Sequence, residues 1–319
     1  MPKFKVLLTD YAWPDLDIER AVLGEIEADL VVAEKTDPQS LAALAVRVDA
    51  IMTNWAKVPA SVIEAVPDCR IVSRLGVGLD NIDIDYCSQH NIPVTNVPDY
   101  CVIEVAEHAI SLLLAQARKV AFYHHQTKSG IYDLQAGAPL RRVEGQTLGI
   151  IGIGNIGRKL ATKALALGLS VIASDPYGKP MDGVELVELD VLLGHSDYVS
   201  LHVPLTPQTQ NLIGADELAK MKPTAYLINT ARGGLIDHAA LTVALEAGRP
   251  AGAALDVQER EPPDLDQPPY NDPRVIVTPH AAFASTESLE NLRRRTAQQV
   301  ATRLAGGVPE HVANPQTLG

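Results

Sequence analysis

A chain of 319 residues is longer than one hydrophobic core usually fills, so two lobes are expected. Apolar side chains make up 46% and charged ones 21%, a globular composition without an uninterrupted apolar stretch long enough to span a bilayer. The 39 acidic against 27 basic side chains give a formal charge of −12, which disfavours nucleic acid as a partner; the basic runs at Arg141-Arg142 and Arg293-Arg294-Arg295 read as solvated or helical faces.

The opening MPKFKVLLTD reads as a buried first strand, because its apolar run is too short for a signal segment. Residues 5–9 lead to a helical stretch at 17–28, residues 50–53 to one at 59–66, and residues 71–74 to Gly76-Val77-Gly78. A strand at 94–96 closes this first series. Cys69, Cys87 and Cys101 form no CxxC pair and no zinc-like cluster, so reduced thiols, a cytoplasmic protein and no metal are expected. One long helix is expected over 102–123, and His108 on it reads as a structural histidine. A second series starts at residue 147, with strands at 148–151, 170–174, 198–203, 225–229, 252–256 and 275–278 and helices fitting between them. Strands alternating with helices predict parallel sheets covered by helices. The tail over 287–303 reads as a helix that returns to the first lobe.

Gly152-Ile153-Gly154-Asn155-Ile156-Gly157 is a GxGxxG turn set between a strand and a helix. Gly152 permits the tight turn, Gly154 lets backbone approach a pyrophosphate, and Gly157 permits close helix packing. The next strand ends at Asp175, 18 residues after Gly157, where a carboxylate accepts bonds from ribose hydroxyls and repels a 2′-phosphate. NAD is therefore the expected cofactor, with adenine near Val203 and Pro204.

Three further strands end in chemistry. Asn229-Thr230-Ala231-Arg232-Gly233-Gly234 follows one, and Arg232 there is either a carboxylate clamp or a structural cap. Asp256 opens the segment that holds Glu259 and Glu261, and His280 follows the last strand. An arginine to hold a 2-oxo acid, an imidazole to move a proton and a carboxylate to tune it are what hydride transfer to such an acid needs. On residues alone, Glu259 competes with Glu261, and His202 with His280. Asn54 and Trp55, after an early strand, are candidates for the substrate side, with ordinary packing the other reading of Trp55.

The segments RLGVGLDNID (74–83), GIGNIG (152–157), Asp175, NTARGG (229–234), DVQEREP (256–262) and PHAA (279–282) together resemble the D-isomer-specific 2-hydroxyacid dehydrogenase family over nearly the whole chain. The resemblance implies that Arg232 binds substrate, that Glu261 and His280 form the proton relay, and that backbone amides around Val77 and Gly78 share the substrate carboxylate. It implies a homodimer acting on a small 2-oxo acid or D-2-hydroxy acid. It also implies an α/β fold of two lobes with a cleft between them: a Rossmann-type NAD-binding domain over 99–286 and a discontinuous flavodoxin-like substrate domain over 1–98 and 287–319. Cofactor contacts are expected at Gly152, Gly154, Asn155, Ile156, Gly157, Asp175, His202, Val203, Pro204, Thr230, Ala231, Asp256 and Ala282. Arg74, EGQTLGIIG (144–152) and the DPY turn (175–177) resemble the C-terminal-binding proteins, which act as NAD-sensing corepressors. Phe283 stands where those proteins carry Trp, so the pocket wall differs, and their long C-terminal extension has no counterpart here. A metabolic enzyme is the expectation, with hydroxypyruvate, glyoxylate and bulkier 2-oxo acids all open as substrates.

Overall fold

The computed structural model describes residues 2–137 and 139–318. The chain divides into two compact units, Met1–Cys101 with Ser285–Gly319, and Val102–Ala284.

The first unit alternates strand and helix: β1 (Phe4–Leu8), α1 (Asp17–Gly24), β2 (Ala28–Val32), α2 (Pro38–Ala45), β3 (Ala50–Thr53), α3 (Ala60–Ile63), β4 (Val72–Arg74), α4 (Ile84–Gln89) and β5 (Val94–Thr95). The strands form one parallel sheet in the order β2-β1-β3-β4-β5, the flavodoxin-like arrangement. Alternation along each strand divides the apolar side chains between two cores. Phe4, Val6, Leu8, Ala50 and Met52 fill one, whereas Leu7 and Ile51 enter the other.

The expected helix over 17–28 stops at Gly24, Glu27 turns left-handed at φ 58°, and residues 28–32 become β2 instead. After β5 the tail returns: Asn314 Oδ1 accepts from the Val94 amide at 2.7 Å, its Nδ2 donates to the Ile92 carbonyl at 2.9 Å, and the Ala313 amide donates to the Val94 carbonyl at 2.8 Å.

The second unit runs α5 (Val102–Ala117), α6 (Val120–Lys128), β6 (Thr147–Ile151), α7 (Asn155–Ala166), β7 (Ser170–Ser174), β8 (Val184–Leu186), α8 (Leu189–His195), β9 (Tyr198–Leu201), α9 (Ala215–Lys220), β10 (Tyr226–Asn229), α10 (His238–Glu246), β11 (Gly252–Leu255) and β12 (Val275–Val277). Its seven parallel strands lie in the order β12-β11-β10-β9-β6-β7-β8, a Rossmann order with one strand added. The order of strand addition reverses at β6, which has β7 on one side and β9 on the other, both parallel to it. Such a switch point opens a crevice at the carboxyl ends of the strands. The single helix expected over 102–123 is two, because Lys119 adopts a left-handed backbone at φ 51° between α5 and α6. The short edge strand β8 was not expected.

The last helix, α11 (Thr286–Leu304), belongs to the first unit. Its Leu292, Ala297, Val300 and Leu304 pack with Phe4, Val6 and Leu23, so the two ends of the chain share one core. Among the described residues no helix is long and apolar enough to cross a membrane.

Candidate active site

The turn after β10 is set by Asn229, whose side chain is fully buried. Its Nδ2 donates to the Arg232 carbonyl at 2.8 Å and its Oδ1 accepts from the Ala231 amide at 3.0 Å. This clasp presents Arg232, whose Nη1 donates to the Ala231 carbonyl at 2.7 Å.

The loop after β11 carries the carboxylate. Glu261 Oε1 accepts from the Gln258 amide at 3.1 Å, and Oε2 lies 2.8 Å from His280 Nδ1. Gln258 is itself pinned, since its Nε2 donates to the Leu255 and Thr278 carbonyls, each at 3.1 Å. Burial alone would raise the Glu261 carboxyl. The His280 hydrogen bond and charge, the Gln258 amide and the Arg232 charge outweigh it and hold the group below the ordinary carboxylate range. Glu261 rather than Glu259 therefore partners the histidine.

His280 sits in the left-handed region at φ 52°, a conformation that a non-glycine residue keeps only when its surroundings impose it. The imposing group is Asp256. Its carbonyl accepts from the His280 amide at 2.7 Å, and its fully buried carboxylate accepts from the Thr278 hydroxyl at 2.5 Å and from the Ala281 and Ala282 amides at 2.9 Å each. His108 Nε2 joins this group, 3.0 Å from the Thr278 hydroxyl and 3.4 Å from Asp256. Burial would raise the Asp256 carboxyl, but the bonds from His108, Thr278 and the two amides hold it at about 2. The structure thus draws His108 into the site's hydrogen-bond network. Phe283 packs edge-on to the His280 ring, with centroids 6.0 Å apart.

A nucleotide fits the carboxyl ends of β6 and β7. Gly152 has φ 93°, and a Cβ on it would lie 2.7 Å from the His202 carbonyl oxygen, so only glycine fits. The Gly154 turn faces open space, and no side chain caps the N-terminus of α7. The amides of Asn155, Ile156 and Gly157 there suit a pyrophosphate. Asp175 Oδ2 accepts from the Ile153 amide and Oδ1 from the Tyr177 amide, both at 2.9 Å, which fixes the carboxylate beside the turn with lone pairs left for hydroxyls. His202 follows β9 with Nε2 2.8 Å from the Ser200 hydroxyl, and burial pushes its imidazole down to about 4. It is placed beside Gly152 and Val203, with Pro204 next in the chain, whereas Glu261 partners His280. The Thr230 hydroxyl is buried without a hydrogen-bond partner, as suits a group that meets a ligand.

The first unit holds a second polar cluster. Arg74 Nε donates to Asn81 Oδ1 at 3.0 Å and Nη1 to Asn54 Oδ1 at 3.2 Å, while the Asn54 amide nitrogen is buried without a partner. Asp10 shapes the turn beneath: it accepts from the amides of Asn54 (3.0 Å), Trp55 (2.7 Å) and Ala56 (3.2 Å). Trp55 is 43% exposed, too much for a core residue. Asn96 Nδ2 donates to the Val77 carbonyl at 2.6 Å and so steadies the Val77-Gly78 turn. Asp10, Asn81 and Gln258 went unmarked in the sequence. Asp10 alone had a signal, as an acid at a strand's carboxyl end like Asp175. Among the described residues no group of three or more His, Cys, Asp or Glu could hold a metal ion.

The family model described as "D-isomer specific 2-hydroxyacid dehydrogenase, NAD binding domain" matches residues 110–282. A D-3-phosphoglycerate dehydrogenase of Archaeoglobus fulgidus is 40% identical over 265 residues, 81% of this chain and 50% of that protein. A hydroxypyruvate reductase of Thermotoga maritima is 37% identical over 292 residues, 90% of this chain and 94% of that one. The chain spans 50% to 59% of the length of the D-3-phosphoglycerate dehydrogenases that it matches. Among solved structures, the D-lactate dehydrogenase of Aquifex aeolicus complexed with NAD and lactic acid superposes with a TM-score of 0.83 at 28% identity, covering 95% of this chain and 96% of that one.

Proposed function

The chain belongs to the D-isomer specific 2-hydroxyacid dehydrogenase family, and from that premise we propose that it interconverts D-2-hydroxy acids and 2-oxo acids with NAD as hydride carrier. The observation that carries the reading is the His280–Glu261 pair at 2.8 Å, with the Arg232 charge acting on the same carboxylate. Bound NADH supplies the hydride. Arg232 holds the substrate carboxylate and polarises the 2-oxo group through its forked donors. His280 Nδ1 is committed to Glu261, so the proton passes between Nε2 and the substrate oxygen. The Glu261 carboxylate keeps the ring oriented and offsets its positive charge, as Asp256 holds the loop beneath it.

Gly152, Gly154, Asn155, Ile156, Gly157, Asp175, His202, Val203, Pro204, Thr230, Ala231, Asp256 and Ala282 are the proposed cofactor contacts. Residues 1–98 and 287–319 serve as the substrate domain, with Val77, Gly78, Arg74, Asn54 and Trp55 on its substrate side. Phe283 forms part of the pocket wall. A homodimer is part of the reading: α6 has no buried residue, its Val120 is exposed, and so are Ile131, Tyr132 and Leu134 just after it. Three free cysteines fit residence in the cytoplasm.

NADH consumption against hydroxypyruvate, glyoxylate, pyruvate and phenylpyruvate tests the activity. Hydroxypyruvate comes first because the Thermotoga maritima relative is named for its reduction. Turnover of at least one acid is expected, with His280→Ala losing it while still binding NADH. NADH binding without turnover of any acid would replace catalysis with an NAD-sensing role.

A further inference from the structure

Gly233, next to Arg232, has no room for a side chain. A Cβ there would lie 2.0 Å from the Gln258 carbonyl and 2.5 Å from the Glu259 amide nitrogen. The arginine turn and the loop leading to Glu261 therefore meet backbone to backbone, and a slip of one displaces the other. Two side chains outside the proposed chemistry bridge this junction. His238, the first residue of α10, is 5% exposed, and its Nε2 lies 3.2 Å from the Gly233 carbonyl. Its Nδ1 lies 3.0 Å from the Tyr270 hydroxyl, so the phenol backs the imidazole that holds the Gly233 carbonyl.

The protons in this chain have one consistent order. A carbonyl only accepts, so His238 carries its proton on Nε2. Nδ1 then accepts, and Tyr270 donates to it. Burial pushes the His238 imidazole below its ordinary range, although the Gly233 carbonyl and the Glu259 and Asp237 charges oppose this, so the ring stays neutral and the order holds.

We propose that His238 and Tyr270 are positioning residues, a proton-ordered brace that keeps the Arg232 turn in register with the loop carrying Glu261. The proposal rests on the reading of Arg232, Glu261 and His280 as a dehydrogenase centre. Catalytic groups misplaced by an ångström lose much of their effect, which is why a support without substrate contact affects rate.

Tyr270→Phe removes one hydroxyl and leaves the ring, and His238→Gln keeps a donor for Gly233 while losing the ring nitrogen that faces Tyr270. Two measurements on the full chain decide the matter. Hydrogen exchange without cofactor should be about tenfold faster in Tyr270→Phe at both segments 231–236 and 257–261, and unchanged elsewhere in the unit. The kcat/KM for the best 2-oxo acid should fall about tenfold, mainly through KM as Arg232 loses its setting, with NADH affinity within about twofold of native. His238→Gln should fall between the two proteins. Unchanged exchange at either segment overturns the brace. So does a loss of NADH affinity and melting temperature in step with kcat/KM, which would mark a merely structural role. If the native chain turns over no 2-oxo acid, the functional reading fails, and the exchange measurement alone decides the brace.

Discussion

At the scale of single residues, Asp256 couples the proposed site to acid stability. Its carboxyl is held at about 2 in the folded chain, against about 3.9 for an ordinary aspartate. A depressed carboxyl stabilises the fold above the unfolded value, and that contribution is lost as pH falls from about 4 towards 2. The loss amounts to about 2 kcal/mol, at 1.36 kcal/mol per unit. His202 acts in the same direction at milder acidity. It is held at about 4 against about 6.5 when unfolded, so the unfolded chain takes the proton first and stability falls between those values. Urea titrations of native protein and Asp256→Asn should show the variant less stable at neutral pH. The gap should narrow by about 2 kcal/mol as pH drops from about 5 to 2, with the His202 part of the slope common to both. A gap independent of pH would remove Asp256 from this role. Asp256 was legible in the sequence as an acid at a strand's end. The partners that lower it were not, because His108 and Thr278 come from elements 148 and 22 residues away.

At the scale of elements, α1 and α11 are joined by Arg293. Its guanidinium donates to both carboxylate oxygens of fully buried Glu19, at 2.9 and 2.8 Å, and to Asp15 at 2.7 Å. Removing one partner of a buried pair strands the other charge. Arg293→Ala should therefore cost about 3–5 kcal/mol in urea unfolding, and Glu19→Leu with Arg293→Met should recover most of it. A cost below about 1 kcal/mol would show the pair to be solvated. The sequence marks α11 and its arginines read as a solvated or helical face; they lie on the helix, but nothing local reveals the buried acid 274 residues away that Arg293 meets. Strand and helix positions were largely readable where apolar periodicity was long. The failures were local: α1 ends at Gly24 with Glu27 left-handed ahead of β2, and α5 ends at Ala117 with Lys119 left-handed ahead of α6, backbones that propensity does not forecast. The short edge strand β8 has two exposed residues of three and so lacks an apolar run.

At the scale of the whole molecule, the first unit is assembled from both ends of the chain. A chain cut before Ser285 loses α11, which supplies Leu292, Ala297, Val300 and Leu304 to the core shared with β1 and β3. Residues 1–101 should then lose protection from hydrogen exchange, while 102–284 keep theirs and still bind NADH. Full protection in the first unit would show that α11 is dispensable. The candidate strand-end residues of the second unit were the most legible part of the molecule, because Gly152 and Asp175 directly follow a strand and Arg232 and His280 come within three residues of one. Residues alone leave Glu259 and Glu261 open and the family resemblance names Glu261, whereas the bridge from His238 to Tyr270 across 32 residues has no local signal. The Asn314 strap has a consequence for life in a crowded solution. An unpaired outer strand is a template on which foreign chains polymerise. At β5 the Val94 amide and carbonyl are already taken by Asn314 and Ala313. At the opposite margin β2 carries exposed Asp29, an unwelcome charge for an incoming strand. The sheet is thus guarded on both sides against amyloid-like growth, one side by its own tail and the other by a carboxylate.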